Sequence, residues 1–178
     1  MKEVNVLFIH GWGPDALFGQ ALETLRRNTI AEFGNSIFAP PAVDYQEAAK
    51  MMAYLARWND DTVIAGLSCG CGRINMLAKQ MPKERIPFAI YYSPSIPCGM
   101  NAYQKLGAVP TNIERGLQVT PAVDIFFNPF RQNLIYPAPG NTTSKIEFMQ
   151  SDKGHGSTPL YGPAQERFFN EIEHAQRL

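Results

Sequence analysis

The stretch that decides the reading is "TVIAGLSCGCGRINML", Thr62 to Leu77. A β-branched and small apolar run enters a segment holding Gly66, Gly70 and Gly72 with Ser68, Cys69 and Cys71, and a helical pattern follows. Gly66-Leu67-Ser68-Cys69-Gly70 has the form Gly-x-Ser-x-Gly between an expected strand and an expected helix. Such a turn is tight. It forces the serine into an unfavourable backbone conformation, and small residues two before and two after it let strand and helix approach closely. Ser68 then stands at a helix N-terminus, where free N–H groups stabilise developing negative charge. The plainer alternative is a strand-to-helix turn whose serine caps the helix.

Outward from that turn, strands alternate with helices. "VNVLFI" (Val4 to Ile9) is an apolar run suited to a strand buried on both faces. "LFGQALETLRRNTIAEF" places Phe18, Ala21, Leu22 and Leu25 on one helical face. "NSIFAP" is a short strand stopped at Pro40–Pro41, and "YQEAAKMMAYLARW" reads as a helix. "DTVIAG", "IPFAIYYS", "AVDIFF" and "KIEFMQ" read as further strands, and "GRINMLAKQM" as a helix. "PAQERFFNEIEHAQRL" begins with Pro163, which suits a first helical turn, and turns Phe168, Phe169 and Ile172 to the core. The alternation predicts an α/β fold: a mostly parallel central sheet with helices on both faces. Residues 1–178 are read as one domain, with an irregular, cap-like segment around 94–121 rich in proline and glycine. In such sheets ligands bind at the carboxyl ends of the strands.

Two other strand ends carry polar residues. His10-Gly11-Trp12-Gly13 follows the first strand, and Ser151-Asp152-Lys153-Gly154-His155-Gly156 follows the last. Of the three histidines, His174 falls in the final amphipathic helix and reads as solvated. His155, between two glycines, reads as an exposed loop residue free to act as a base. The N–H groups of Trp12 and Cys69 are candidates for an oxyanion hole. His10, Gly11, Trp12 and Tyr92 are candidates for the substrate pocket, with Met100 and Tyr103 as further apolar lining. Cys71 reads as packing.

"VLFIHGWG", "VIAGLSCGCG" and "QSDKGHG", in this order, resemble the α/β-hydrolase superfamily, and the short length is similar to its smallest lidless members, minimal lipases and small serine hydrolases. The resemblance implies a Ser68 nucleophile, a His155 base and hydrolysis of a carboxylic ester or thioester through an acyl-enzyme, the chemistry of a serine esterase or lipase. It also implies an acid after the penultimate strand. Read with "AVDIFF" as that strand, the matching position is Asn133, and no Asp or Glu occurs from Asn128 to Lys145. Asn133 can orient a histidine as a neutral partner. Asp152 and then Asp124 are the alternatives, Asp124 being set back because it would lie early in its strand. A different function also fits a missing acid: a binding or scaffold protein on a hydrolase fold, its catalysis weakened or lost.

Composition bounds the partners. Sixteen basic and sixteen acidic residues cancel, with no long basic run, so nucleic acid and anionic membranes are not expected. The apolar run at the N-terminus is too short and too polar for a signal peptide or a membrane span. Cys69, Cys71 and Cys98 make an odd number, against a disulfide framework, and their spacing does not suit zinc. A cytoplasmic protein is expected, with no cofactor and no metal, acting on a small ester or acyl substrate. Nothing in the pattern fixes an oligomeric state.

Overall fold

The structure is a computed structural model describing residues 2–11, 19–44, 61–94, 108–122 and 135–178. Seven strands are present among them: β1 (Val4–His10), β2 (Ile37–Phe38), β3 (Val43–Asp44), β4 (Val63–Leu67), β5 (Ile86–Tyr92), β6 (Ile113–Pro121) and β7 (Lys145–Ser151). The helices are α1 (Gly19–Phe33), α2 (Cys69–Gln80) and α3 (Gly162–Arg177), and a six-residue 3-10 turn spans His155–Leu160.

The sheet runs β2-β1-β4-β5-β6-β7, with β3 also on β1, and the pairings of these strands are parallel. β2 pairs with the start of β1 (Val4↔Ile37) and β3 with its end (Ile9↔Val43). They act as one edge strand interrupted by Pro40–Pro41, which have no N–H to donate to a ladder. The chain leaves β1 on one side through β2 and β3, then returns on the other side as β4. The carboxyl ends of β1 and β4 therefore flank a topological switch point, the place where open parallel sheets hold ligands.

Every residue of β1, β4 and β5 is buried, as the continuous apolar runs demand of strands covered on both faces. α2 covers one face, packing Ile74, Leu77 and Ala78 on Ile9, Ile64 and Ala89. α1 and α3 cover the other, with Leu22, Leu25, Phe168 and Ile172 against Val6, Phe8 and Ile90. Phe168 is fully buried, its ring edge-on to Phe8 at 6.0 Å. Truncating such a ring to alanine costs about 3–5 kcal/mol.

Two expectations change. The segment around 94–121 contains β6, a strand within the sheet. Its polar side chains have distant partners: Glu114 pairs with Arg85, Arg115 with the buried Glu171, and the Gln118 side-chain oxygen accepts the Ile135 N–H at 2.8 Å. Gly116 leaves room on that face for Ile146, whose Cδ1 would lie 2.8 Å from a Cβ there and would have to move. The expected strand "AVDIFF" does not start at Ala122, which sits in a bend past the end of β6; 123–127 lie outside the described residues. So does the helix expected over "YQEAAKMMAYLARW". No helix among the described residues is long and apolar enough to cross a membrane.

Candidate active site

Ser68 is the single residue between β4 and α2, with φ 56° and ψ −120°. A non-glycine residue in that region is strained. The turn is held by backbone hydrogen bonds, one to β5 and one within it: the Ser68 N–H donates to the Tyr92 carbonyl at 2.9 Å, and the Cys71 N–H donates to the Ser68 carbonyl at 3.1 Å. The Ser68 side chain makes no capping hydrogen bond to α2, so the capping alternative fails.

Two glycines explain how the turn fits. A Cβ on Gly70 would collide with the Ile9 carbonyl oxygen, so the first turn of α2 lies directly on the end of β1. A Cβ on Gly11 would lie 2.7 Å from Ser68 Cβ and 3.0 Å from the Cys69 nitrogen. The end of β1 thus touches both the serine and the first N–H of α2. Trp12, the other expected oxyanion donor, lies outside the described residues, as do Met100, Tyr103, Asp124 and Asn133.

Ser68 and His155 are each 5% exposed. The exposed, loosely packed loop expected around His155 is instead a 3-10 turn that buries His155, Thr158 and Pro159 and leaves Ser157 and Leu160 exposed: Gly154 accepts the Ser157 N–H at 2.9 Å, and the Thr158 hydroxyl donates to the His155 carbonyl at 3.2 Å. Asp152 is exposed, its carboxylate 3.6 Å from the Lys153 ammonium on the surface. His174 is exposed on α3.

The expected pocket residues separate. His10 is buried at the end of β1, its Nδ1 3.1 Å from the Gly11 carbonyl and 3.7 Å from Asp44 Oδ2. It lines a cleft of about 450 Å³ between the first turns of α1 and the Pro41–Ala42 segment. Tyr92 is not among the residues that line this cleft. It is fully buried on the α1 and α3 face, and burial raises the pKa of its hydroxyl far above the ordinary tyrosine value. It lies on the core side because alternate residues of β5 face opposite ways. Cys71 is fully buried, its Sγ 3.2 Å from the Gly66 carbonyl oxygen; burial first, then Cys69, pushes its pKa up, which keeps it a thiol. Ser68 Oγ lies 3.9 Å from Cys69 Sγ.

Sequence reasoning passed over Ser93 and Thr158, both buried, whose hydroxyls meet at 2.8 Å. The signal was present: Ser93 ends the run "IPFAIYYS" at a strand's carboxyl end, like His10 and Ser68.

The topology and its switch point have counterparts among solved structures. A metagenome-derived lipolytic enzyme of the LipS and LipT pair aligns over 99% of this chain and 95% of its own, with a TM-score of 0.62 and 14% identity. The fold is that of the α/β-hydrolases. Also similar are FphF, a fluorophosphonate-binding serine hydrolase of Staphylococcus aureus (TM-score 0.56, 13% identity, 97% of this chain and 85% of that one), and BorB, a type II thioesterase from the borrelidin biosynthetic cluster (0.57, 11%, 98% and 93%). No protein-family model and no curated protein matches the sequence. At these identities the likeness to an α/β-hydrolase is one of fold.

Proposed function

We propose that this chain is a serine hydrolase that cleaves a carboxylic ester or thioester through an acyl-enzyme. The observation that carries the reading is the strained Ser68, set between β4 and α2 at the switch point with Gly11 against it. Ser68 Oγ attacks the substrate carbonyl as His155 takes its proton. The negative oxygen of the tetrahedral intermediate is held by the N–H groups of Cys69 and Trp12. Collapse breaks the acyl bond, and the alcohol or thiol leaves with the proton from His155. Water then attacks the acyl-enzyme, its proton passing through His155 back to Ser68, and the carboxylic acid departs. The solved structures similar in fold include a lipolytic enzyme, a serine hydrolase and a thioesterase, which fits this reaction class.

The acid is reassigned within this proposal. The resemblance implies a carboxylate after the penultimate strand, and among the described residues that strand is Ile113–Pro121. The first carboxylate after it is Asp124. The Ala122 N–H donates to the Ser151 carbonyl at 2.8 Å, four residues before His155. Two further residues reach at most about 7 Å. We therefore assign Asp124 ahead of Asn133 as the partner of His155, with the exposed Asp152 behind both. The rival reading, a binding protein without catalysis, rests on a missing acid, and the assignment of Asp124 is the proposal's answer to it.

The test is labelling with a fluorophosphonate probe, which reports an activated serine without knowledge of the substrate. The parent should label, and Ser68→Ala should not while still folding. Failure of the folded parent to label would sink the proposal.

A further inference from the structure

Ser68 and His155 come from distant parts of the chain, and one hydroxyl pair joins the segments that carry them. The strand end of β5 supplies both halves of the link. The Tyr92 carbonyl accepts the Ser68 N–H at 2.9 Å. The next residue, Ser93, presents its hydroxyl to Thr158 Oγ1 at 2.8 Å across 65 positions of sequence. Thr158 in turn donates to the His155 carbonyl at 3.2 Å. A hydroxyl has one proton. Thr158 gives its proton to His155, so Ser93 is the donor between the two hydroxyls.

We propose that Ser93 and Thr158 are positioning residues that fix the His155 turn against the Ser68 turn. The inference rests on the reading of Ser68 and His155 above. Three observations favour it over ordinary packing. Both hydroxyls are nearly inaccessible, Ser93 at 2% and Thr158 at 0% exposure, where the bond has no competition from water. Ser93 has φ 46°, and with Ser68 it is one of two non-glycine residues with positive φ among those described. A serine held in that conformation is where glycine would be easier, which points to a need for its side chain. The Ser93 N–H is also committed, donating to the Val119 carbonyl of β6 at 2.8 Å, so its hydroxyl is aimed from a fixed base.

The pair separates two kinds of variant. Ser93→Gly and Thr158→Val delete a hydroxyl, the first while suiting the backbone and the second while keeping the side-chain shape. Thr158→Ser keeps the hydroxyl. Two readouts are taken on folded protein, checked by circular dichroism. The first is the rate of His155 carbethoxylation by diethyl pyrocarbonate, mapped by mass spectrometry with His174 as internal reference; it needs no activity. The second is the rate of fluorophosphonate labelling of Ser68. Either deletion should raise His155 modification about tenfold and slow labelling about ten- to hundred-fold, the scale of a displaced reacting group. Thr158→Ser should stay within about threefold of the parent in both. If both deletions leave His155 modification at the parental rate, the proposal is overturned, whatever the labelling shows. If Thr158→Ser behaves like Thr158→Val, shape and not the hydroxyl holds the turn, and the proposal again falls. A parent that does not label, with His155 released in the deletions and retained in Thr158→Ser, would support the positioning role and remove the hydrolase reading alone.

Discussion

Ser68→Gly is expected to leave a more stable protein than Ser68→Ala. Both variants lose the hydroxyl, so whatever it contributes cancels between them. They differ in one Cβ. At φ 56° and ψ −120° that carbon is held where L residues are rarely found, at a cost on the order of 1–3 kcal/mol. Alanine keeps this strain and glycine removes it. Against the gain, glycine loosens the unfolded chain more than alanine does, which costs about 0.4–1 kcal/mol. The balance is about 1 kcal/mol in favour of glycine, between limits of roughly 0 and 2.6. In a domain of this length, 1 kcal/mol moves Tm by about 2–4 °C. Calorimetric melting of the two variants in one buffer measures the difference. A glycine variant that melts below the alanine variant would refute the reasoning, because the turn would then store no strain.

Further outcomes can be checked beside it. Asp124→Asn should lower kcat/KM on a p-nitrophenyl ester by up to about 10⁴-fold, as loss of the acid does in a Ser-His-Asp site, while Asn133→Ala and Asp152→Asn stay close to the parent. Gly70→Ala drives a Cβ into the Ile9 carbonyl, and urea unfolding should show a loss of about 1–3 kcal/mol or more. Gly162→Ala meets nothing within 4 Å and should be neutral or gain up to about 1 kcal/mol. Hydrogen bonds from Arg26 and Arg85 hold the pKa values of Glu23 and Glu114 below the ordinary 4.5. The folded state therefore binds fewer protons there, and these bonds stabilise above pH 4.5 and fade as the pH falls through the lowered values. Arg26→Met should flatten the stability profile in that acidic range, read by urea midpoints against pH.

The parts of the fold legible in the sequence were those whose burial is complete and local. β1, β4 and β5 are continuous apolar runs, and α3 carries Phe168 and Ile172 at helical spacing. β6 escaped because its stability is not written within it. Glu114, Arg115 and Gln118 make poor strand material alone and good strand material once Arg85, Glu171 and the Ile135 N–H are in place. That strand's end at Pro121 makes Asp124 the first carboxylate after it, which is the ground for proposing it ahead of Asn133. His155 was misjudged for a related reason. Gly154 and Gly156 describe the freedom of the loop, whereas its burial comes from distant elements, α1, β6 and α3, that pack against the turn. The tight turn at Ser68 is legible because its glycine neighbours answer a contact that strand–turn–helix geometry demands.

The packing of Phe168 on Phe8 also governs how the protein comes into being. β1 ends at His10 and α3 begins at Gly162, so β1 is synthesised well before α3. Until α3 arrives, Val6 and Phe8 lack part of their cover on that face. A nascent chain released before α3 is complete therefore presents the apolar strands of a parallel sheet to the cell, a state prone to aggregation and open to proteases. Domains dominated by pairings this distant in sequence also fold slowly, because loop closure must come before the contacts that reward it. The helix that completes the core is thus also the element whose synthesis closes that exposed apolar face.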